Sequence, residues 1–355
     1  MKNLKVKLMS FLMLTFVMVS CGSDEPIAIT PPLNEVLENL NNGIMEGKLS
    51  EDYTLDPTIQ YSLRGAFIIE NNGILTIPAG TIITADSGGT EVYIAVLQGG
   101  EININGNAGN PVVMSSATGS PGDWGGLTLC GNASTTAGVD ASAEVGGFIY
   151  GGTNDVDSSG IIRYLQIVGT GAQINPESQY NGISFYGVGS GTLVDHVAII
   201  NGSDDGVEFF GGTVAVSNLY LENNDDDSID WTEGWSGSVT NAYISHTVAG
   251  FSTVFEGDKD NANPTFTNIT AVSSVGGTGL QFKKESGASI TGLHLIGYDV
   301  DLDMKDNGAL SNVQIDGAIA DATLYTGETN KYMLNSGKNA APVALDNWSW
   351  IDDSF

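Results

Sequence analysis

The chain reads as all-β: a right-handed parallel β-helix behind an N-terminal lipoprotein leader and a flexible tether. Two observations predict the solenoid. A short strand motif returns at intervals of roughly 20 to 30 residues, the range of solenoid repeats. Each copy is followed by a second strand too near to leave room for a crossover helix. Composition agrees, because glycine supplies 47 of 355 residues, about twice its usual share. Val, Ile, Thr, Asn and Asp recur in short runs, which suits strands and tight turns better than helices.

The motif is clearest at 194–199 and returns at 216–221, 239–244, 266–271, 290–295 and 310–315, with an earlier copy at 162–167. The second strands fall at 182–185, 206–209, 228–231, 279–282 and 301–304. Strand alternation puts Phe185, Phe209, Trp231, Phe282 and Met304 in one inward column and the residue before each outside. Asn218, Asn241, Asn268 and Asn312 share one position beside a bend. Asparagine tolerates left-handed backbone there, and stacked amides can bond from rung to rung. Earlier coils are predicted from strands at 67–70, 74–77, 92–97, 101–104 and 112–114. Asn347-Trp348-Ser349-Trp350-Ile351 reads as a C-terminal cap, since a bare last rung would template aggregation.

Residues 1–20 read as a secretory leader, with Lys2, Lys5 and Lys7 ahead of a short apolar run. That run is too short to span a bilayer comfortably. It ends in Met18-Val19-Ser20-Cys21, which resembles the lipobox of bacterial lipoproteins and implies lipidation of Cys21. The following Gly22-Ser23-Asp24-Glu25 resembles the signal that sends Bacteroidetes lipoproteins to the outer face of the outer membrane. Residues 21–50 are assigned to a lipidated tether with a short helix near 34–40, and 51–355 to the solenoid. The net charge of −30 argues against nucleic acid and against docking on anionic lipid. Membrane contact is then expected through the N-terminal lipid only. Cys130, alone in the body and set in an apolar strand, reads as a buried structural thiol.

Four strings carry a wider resemblance: Asp123-Trp124-Gly125-Gly126-Leu127, Tyr150-Gly151-Gly152-Thr153-Asn154-Asp155, Glu208-Phe209-Phe210-Gly211-Gly212-Thr213, and Asp226-Asp227-Ser228-Ile229-Asp230-Trp231-Thr232-Glu233-Gly234-Trp235. In this order they resemble predicted β-helix surface lipoproteins of the Bacteroidetes, across roughly residues 63–325. The resemblance implies the fold and no particular activity. Members often carry a "multidrug transporter" label, which a solenoid without membrane spans does not justify.

Chemistry is expected in an acidic band across two neighbouring coils. Asp204, Asp205 and Glu208 lie on one, and Asp226, Asp227 and Asp230 on the next. Rungs about 4.8 Å apart would stack Glu208 near Asp230 and the Asp205 turn near the Asp227 turn. Hard oxygens converging this way suit Ca²⁺, while Asp is also a good turn residue that needs no ion. The same carboxylates, with Asp205, Asp227 and Asp230 as catalytic candidates, could serve a polysaccharide hydrolase. A lyase would want a basic residue beside them, and Lys259, Lys283, Lys284 and Lys305 follow this face. Those lysines are equally placed to pair with Glu256, Asp258, Glu285 and Asp306.

A second candidate is the outward column Gln166, Ala198, Tyr220, Tyr243, Thr270, His294 and Gln314. Tyr220, Tyr243 and His294 could stack on sugar rings or join a protein interface. The sequence therefore predicts a non-enzymatic cell-surface solenoid that binds a glycan or docks on an outer-membrane protein complex. The alternative is a polysaccharide-degrading enzyme working through the acidic band.

Overall fold

The computed structural model describes residues 35–176, 178–345 and 348–351. Cys21, the leader before it and the acidic string after it lie outside the described residues. Twenty-five strands join in one continuous sheet that wraps around a single hydrophobic core, a parallel β-helix. Among the described residues no helix is long and apolar enough to cross a membrane.

Each coil lays down strands on three faces, and in the middle coils a left-handed residue separates the first from the second. In Leu193–Ile200, Ala215–Glu222, Ser238–His246, Thr265–Ser273 and Ala288–Ile296 the leading residues belong to the first face. The trailing residues belong to the second. The turning residues His196, Asn218, Asn241, Asn268 and Gly292 have φ of 57°, 55°, 59°, 56° and 71°, which folds the chain around the corner without breaking the ladder. Asn241 Nδ2 donates to Asn218 Oδ1 at 3.2 Å, and Asn268 Nδ2 to Asn241 Oδ1 at 3.1 Å. The predicted amide ladder is therefore present at these three positions. Asn312 is not part of it. Ile315 rather than Leu310 stands opposite Ile290, so the last copy is out of register, and Asn312 closes a one-turn 3-10 helix instead.

The third face carries Ile183–Tyr186, Val207–Phe210, Asp227–Thr232, Thr278–Lys283 and Val300–Lys305. Phe185, Phe209 and Trp231 are stacked in register and fully buried, as are Phe282 and Met304. The sequence reading missed one rung, Thr253–Gly257, because Gly257 stands where the column calls for a large side chain. A Cβ there would lie 2.7 Å from Trp231 Cζ2. The glycine leaves room for the indole, which packs edge-on to Phe282 across it, ring centres 5.7 Å apart. Aromatic pairs of this kind add about 0.5–1.5 kcal/mol beyond their buried area.

Two boundaries differ from expectation. A helix does form at Glu35–Asn41 and buries Val36 and Leu40. The solenoid, however, begins inside the supposed tether: Ile44–Leu49 pairs in parallel with Tyr61–Ile69, from Ile44↔Ser62 to Leu49↔Ile69. Alternating Met45 and Leu49 supply the inward side of this first rung. At the other end, Trp348 and Trp350 do not cover the last rung. They pack on Ala198, Tyr164 and Tyr220, far back along the second face. The last rung is closed instead by antiparallel pairing of Lys331–Leu334 with Val300–Lys305 and of Ala318–Ile319 with Val313–Ile315.

Tryptophans within the four strings singled out in the sequence serve packing. Trp124 is fully buried and its indole N–H donates to Val168 O at 2.9 Å. Trp235 stacks on Phe209 with ring centres 4.0 Å apart and donates to Val214 O at 3.1 Å.

Candidate functional site

The acidic band is assembled by the turn between the second and third faces and by the outer side of the third. Register places Ser184, Glu208, Asp230, Glu256, Gln281 and Asp303 in one outward column. Glu208 does stand opposite Asp230. The turns also stack, since the Asp227 N–H donates to Asp205 Oδ1 at 2.9 Å. Contrary to the expectation of a solvent-facing column, Ser184, Glu256, Gln281 and Asp303 are buried. Part of the cover comes from two small hairpins that interrupt the coils, Ala141–Ser142 with Ile149–Tyr150 and Gln173–Asn175 with Ser178–Gln179. The first is pinned to the third face by Tyr150, whose ring lies 5.0 Å from that of Tyr186.

The result is a cleft of about 230 Å³ walled by Asp204, Asp205, Glu208, Asp226 and Asp230, with Glu144, Pro176, Ser178 and Gln179 opposite. Carboxylate oxygens of Asp204, Asp205 and Asp226 lie within 4.8 Å of one another, as do those of Asp205, Glu208 and Asp230, and those of Asp227, Asp230 and Glu256. All six carboxylates proposed from sequence are thus brought together. Glu256, read from sequence only as a partner for a lysine, and Glu144, which the sequence reading did not single out, join them. Glu256 had a signal, since it precedes Gly257 as Asp230 precedes Trp231. Glu144 arrives on an inserted hairpin and follows no repeat.

Few donors compensate this charge. Asn181 Nδ2 donates to Glu208 Oε2 at 2.7 Å, and Thr253 Oγ1 to Asp227 Oδ1 at 2.5 Å. Asp230 Oδ1 and the Asn181 side-chain oxygen are buried without a hydrogen-bond partner. Burial, followed by the charge of Asp226, pushes the Asp204 carboxyl up to about 7. Burial likewise drives Asp205, Glu208, Asp227 and Asp230 well above the carboxylate range, reinforced by Glu208 acting on Asp205, Asp230 on Glu208, and Glu256 on Asp227 and Asp230. Asp226, exposed at the mouth, is raised for the same reasons.

Lys283 is the lysine nearest this chemistry, and its ammonium forms an ion pair with Glu256. Burial works to lower its pKa, but the bond and attraction of Glu256, with Asp227 and Asp230 behind, outweigh that and hold it above the ordinary value. A lysine held charged is a poor proton abstractor. Lys284 pairs with Asp258 at 3.0 Å as expected, whereas Lys305 approaches Asp303 at 3.9 Å rather than Asp306.

The family model described as "Pectate-lyase like beta helix domain" matches residues 47–347. The chain belongs to this family. No curated protein and no solved structure matches the chain. A pectate-lyase-like β-helix fits a glycan-binding or polysaccharide-active protein, and the acidic cleft is the concave polar feature of this member's third face.

The second candidate surface fares differently. Tyr220 and Tyr243 stack in register with ring centres 5.8 Å apart, and Thr270 and His294 continue the column. Gln314 does not, since it stands opposite Ser289. This face is not open. The C-terminal segment runs back over it: Val343 N–H donates to Thr270 Oγ1 at 2.8 Å, Trp348 packs against Tyr220, and Gln166 Nε2 bonds the Trp350 carbonyl. Cys130 is buried, and desolvation pushes its thiol up to about 12, as suits a structural thiol rather than a nucleophile.

Proposed function

We propose that this protein is a glycan-binding solenoid of the cell surface whose working site is the acidic cleft, and that the cleft holds a divalent cation. The observation that carries this is the set of three overlapping carboxylate triplets, each with oxygens within 4.8 Å, opening on one cleft. Like charges this close in a half-buried site must either take up protons or share a cation. The donors are all hard oxygens, which suit Ca²⁺ over a soft metal. Asp230 Oδ1, buried and unpartnered, is the atom a cation would satisfy. Asp204, Asp205, Glu208, Asp226 and Asp230 would hold it, with Asp227 and Glu256 as the deeper pair. A bound cation would supply Lewis acidity and a bridge to ligand oxygens.

A second reading, polysaccharide hydrolysis, is favoured by one observation. Asp204, held to about pH 7 at the cleft wall, would carry a proton into the cleft, as a general acid must. Lyase chemistry is disfavoured by the charged state of Lys283.

Calorimetric titration with Ca²⁺, paired with thermal melting, tests the main reading. Binding and a rise in Tm are expected, both lost in Asp205→Asn/Asp230→Asn. No heat of binding and an unchanged Tm would remove the cation. Product release from a polysaccharide panel, abolished in Asp204→Asn, would move the protein to the hydrolase reading. Surface display through an acylated Cys21 belongs to the same proposal. Radiolabelled palmitate should mark the wild type and leave Cys21→Ala unlabelled.

A further inference from the structure

A second groove lies on the opposite side of the coil from the acidic cleft. Its floor is the amide ladder at the corner between the first and second faces, and its outer wall is the returning C-terminal segment. About 530 Å³ is enclosed between Asn218, Asn241 and Asn268 on one side and Pro342, Val343 and Trp348 on the other. The wall is held in place at several points. Lys338 O accepts from Leu295 N–H at 2.8 Å, Ala340 N–H donates to Leu293 O at 3.1 Å, and Val343 is tied to Thr270. Trp348 and Trp350 are nearly buried against Tyr220 and Tyr164. The groove is therefore a built feature between two ordered surfaces.

Its chemistry is specific. The three amides form a chain in which Asn218 donates to Asp195 Oδ1 at 2.7 Å and each later Asn donates to the one before. That uses one N–H of each side chain. An amide has two, and its oxygen has two lone pairs, so each rung can offer one further donor or acceptor to the groove. The offers repeat every rung, about 4.8 Å apart, in a line parallel to the solenoid axis. The rung-to-rung bonds hold each Asn side chain in place, so little side-chain freedom remains to be lost on binding. Opposite stands an indole, a flat apolar surface with a polar edge. No lysine or arginine lines the groove, Asp195 closes the ladder at one end, and the chain carries a net charge of −30. Anionic ligands are repelled.

We infer that this groove binds a linear neutral oligosaccharide lying along the solenoid axis, its hydroxyls on the Asn218–Asn241–Asn268 ladder and its edge against the part of Trp348 left exposed. Repeated hydroxyls meet repeated amides, and an apolar C–H edge of the sugar meets the exposed rim of the indole. The site is independent of the acidic cleft and needs no cation.

The test uses the full chain and a panel of xylan, mannan and mixed-linkage glucan oligosaccharides, with oligogalacturonate as the anionic comparison. Calorimetry should show binding of at least one neutral oligosaccharide, unaffected by EDTA and by Asp227→Asn. Asn241→Gly/Asn268→Gly, which keeps the left-handed backbone permitted, should weaken it at least tenfold. Binding should also change the intrinsic fluorescence in the wild type, and Trp348→Phe should lose most of that change. The inference fails if no neutral oligosaccharide binds, if EDTA or Asp227→Asn abolishes binding, or if a folded double variant binds within twofold of wild type. A ligand that proves to be a peptide strand rather than a sugar would also overturn it. Loss of cation binding at the cleft would leave this result untouched, so the two proposals can fail separately.

Discussion

Asp204 and His246 pull the stability of this protein in opposite directions as pH changes. Asp204 is raised from an ordinary 3.8 to about 7 by burial and by Asp226. The folded chain therefore binds a proton that the unfolded chain releases between those values. Its contribution is complete below pH 3.8 and is lost as pH rises through 7. His246 is buried, accepts or donates at Ser228 Oγ and Tyr298 Oη, each 3.1 Å away, and stacks on Phe251. Burial lowers it from 6.5 to about 4, so its contribution is complete above 6.5 and is lost as pH falls toward 4. Between pH 4 and 6.5 the two contributions nearly cancel, so thermal melting in EDTA should show no rise in Tm there, and Tm should fall as pH climbs past 6.5, where Asp204 and the other raised carboxyls act unopposed. Saturating Ca²⁺ should flatten the alkaline limb alone, and Asp204→Asn should do part of the same without cation. A Tm that climbs steadily from pH 5 to 8 in EDTA would contradict the raised carboxyls.

Single elements show what the sequence could and could not announce. The strand repeats and the Phe185–Phe209–Trp231 column were legible because alternation and burial obey the same period of two. The Asn ladder was legible because left-handed backbone selects few residues. Tyr164 and His196 occupy the same corner with φ of 50° and 57°, yet their types gave no hint of it. They are held by mutual stacking at 4.2 Å and by Trp350 edge-on to Tyr164 at 5.7 Å, contacts made by residues distant in sequence. Thr253–Gly257 was hidden for the opposite reason, since its inward residue is absent to make room for Trp231. Of the acidic cleft, the six repeat-borne carboxylates were readable, whereas the hairpin bearing Glu144 interrupts the repeat and has no period to betray it. The ladder gives a direct prediction at this scale. Asn241→Ala combines left-handed strain of roughly 1–2 kcal/mol with two lost amide bonds of about 1 kcal/mol each. Asn241→Gly loses only the bonds. In urea unfolding the alanine variant should be the less stable of the two, and equal midpoints would show that the backbone conformation is not what selects Asn there.

At the scale of the whole molecule, the two proposed ligand surfaces lie on different faces of one core and share no lining residue. The core itself is a stack in which each rung contacts its neighbours, so stability is approximately a sum of rung and interface contributions. The returning C-terminal segment departs from that rule. Removing residues 336–355 should leave the strand signal of the circular dichroism spectrum nearly intact, because the parallel rungs do not depend on it. It should uncover Tyr220, Tyr243 and Ala198 and increase binding of a hydrophobic dye. Global unfolding of the truncated chain would instead mean that the segment is part of the core.

The bond from Gln166 to the Trp350 carbonyl joins positions 184 residues apart, in a fold whose ladders run mostly between adjacent coils. Coils can zip up one after another, each closing a short loop. The tail can dock only once the rungs of Tyr164, His196 and Tyr220 already exist to receive it, and among the described residues it must close a loop longer than any that joins two coils. Pulled from its C-terminus, the same segment would peel away first and leave the coil behind it wound. The tail thus behaves as a latch, last to shut and first to open, and the groove beneath it exists only while the latch is closed.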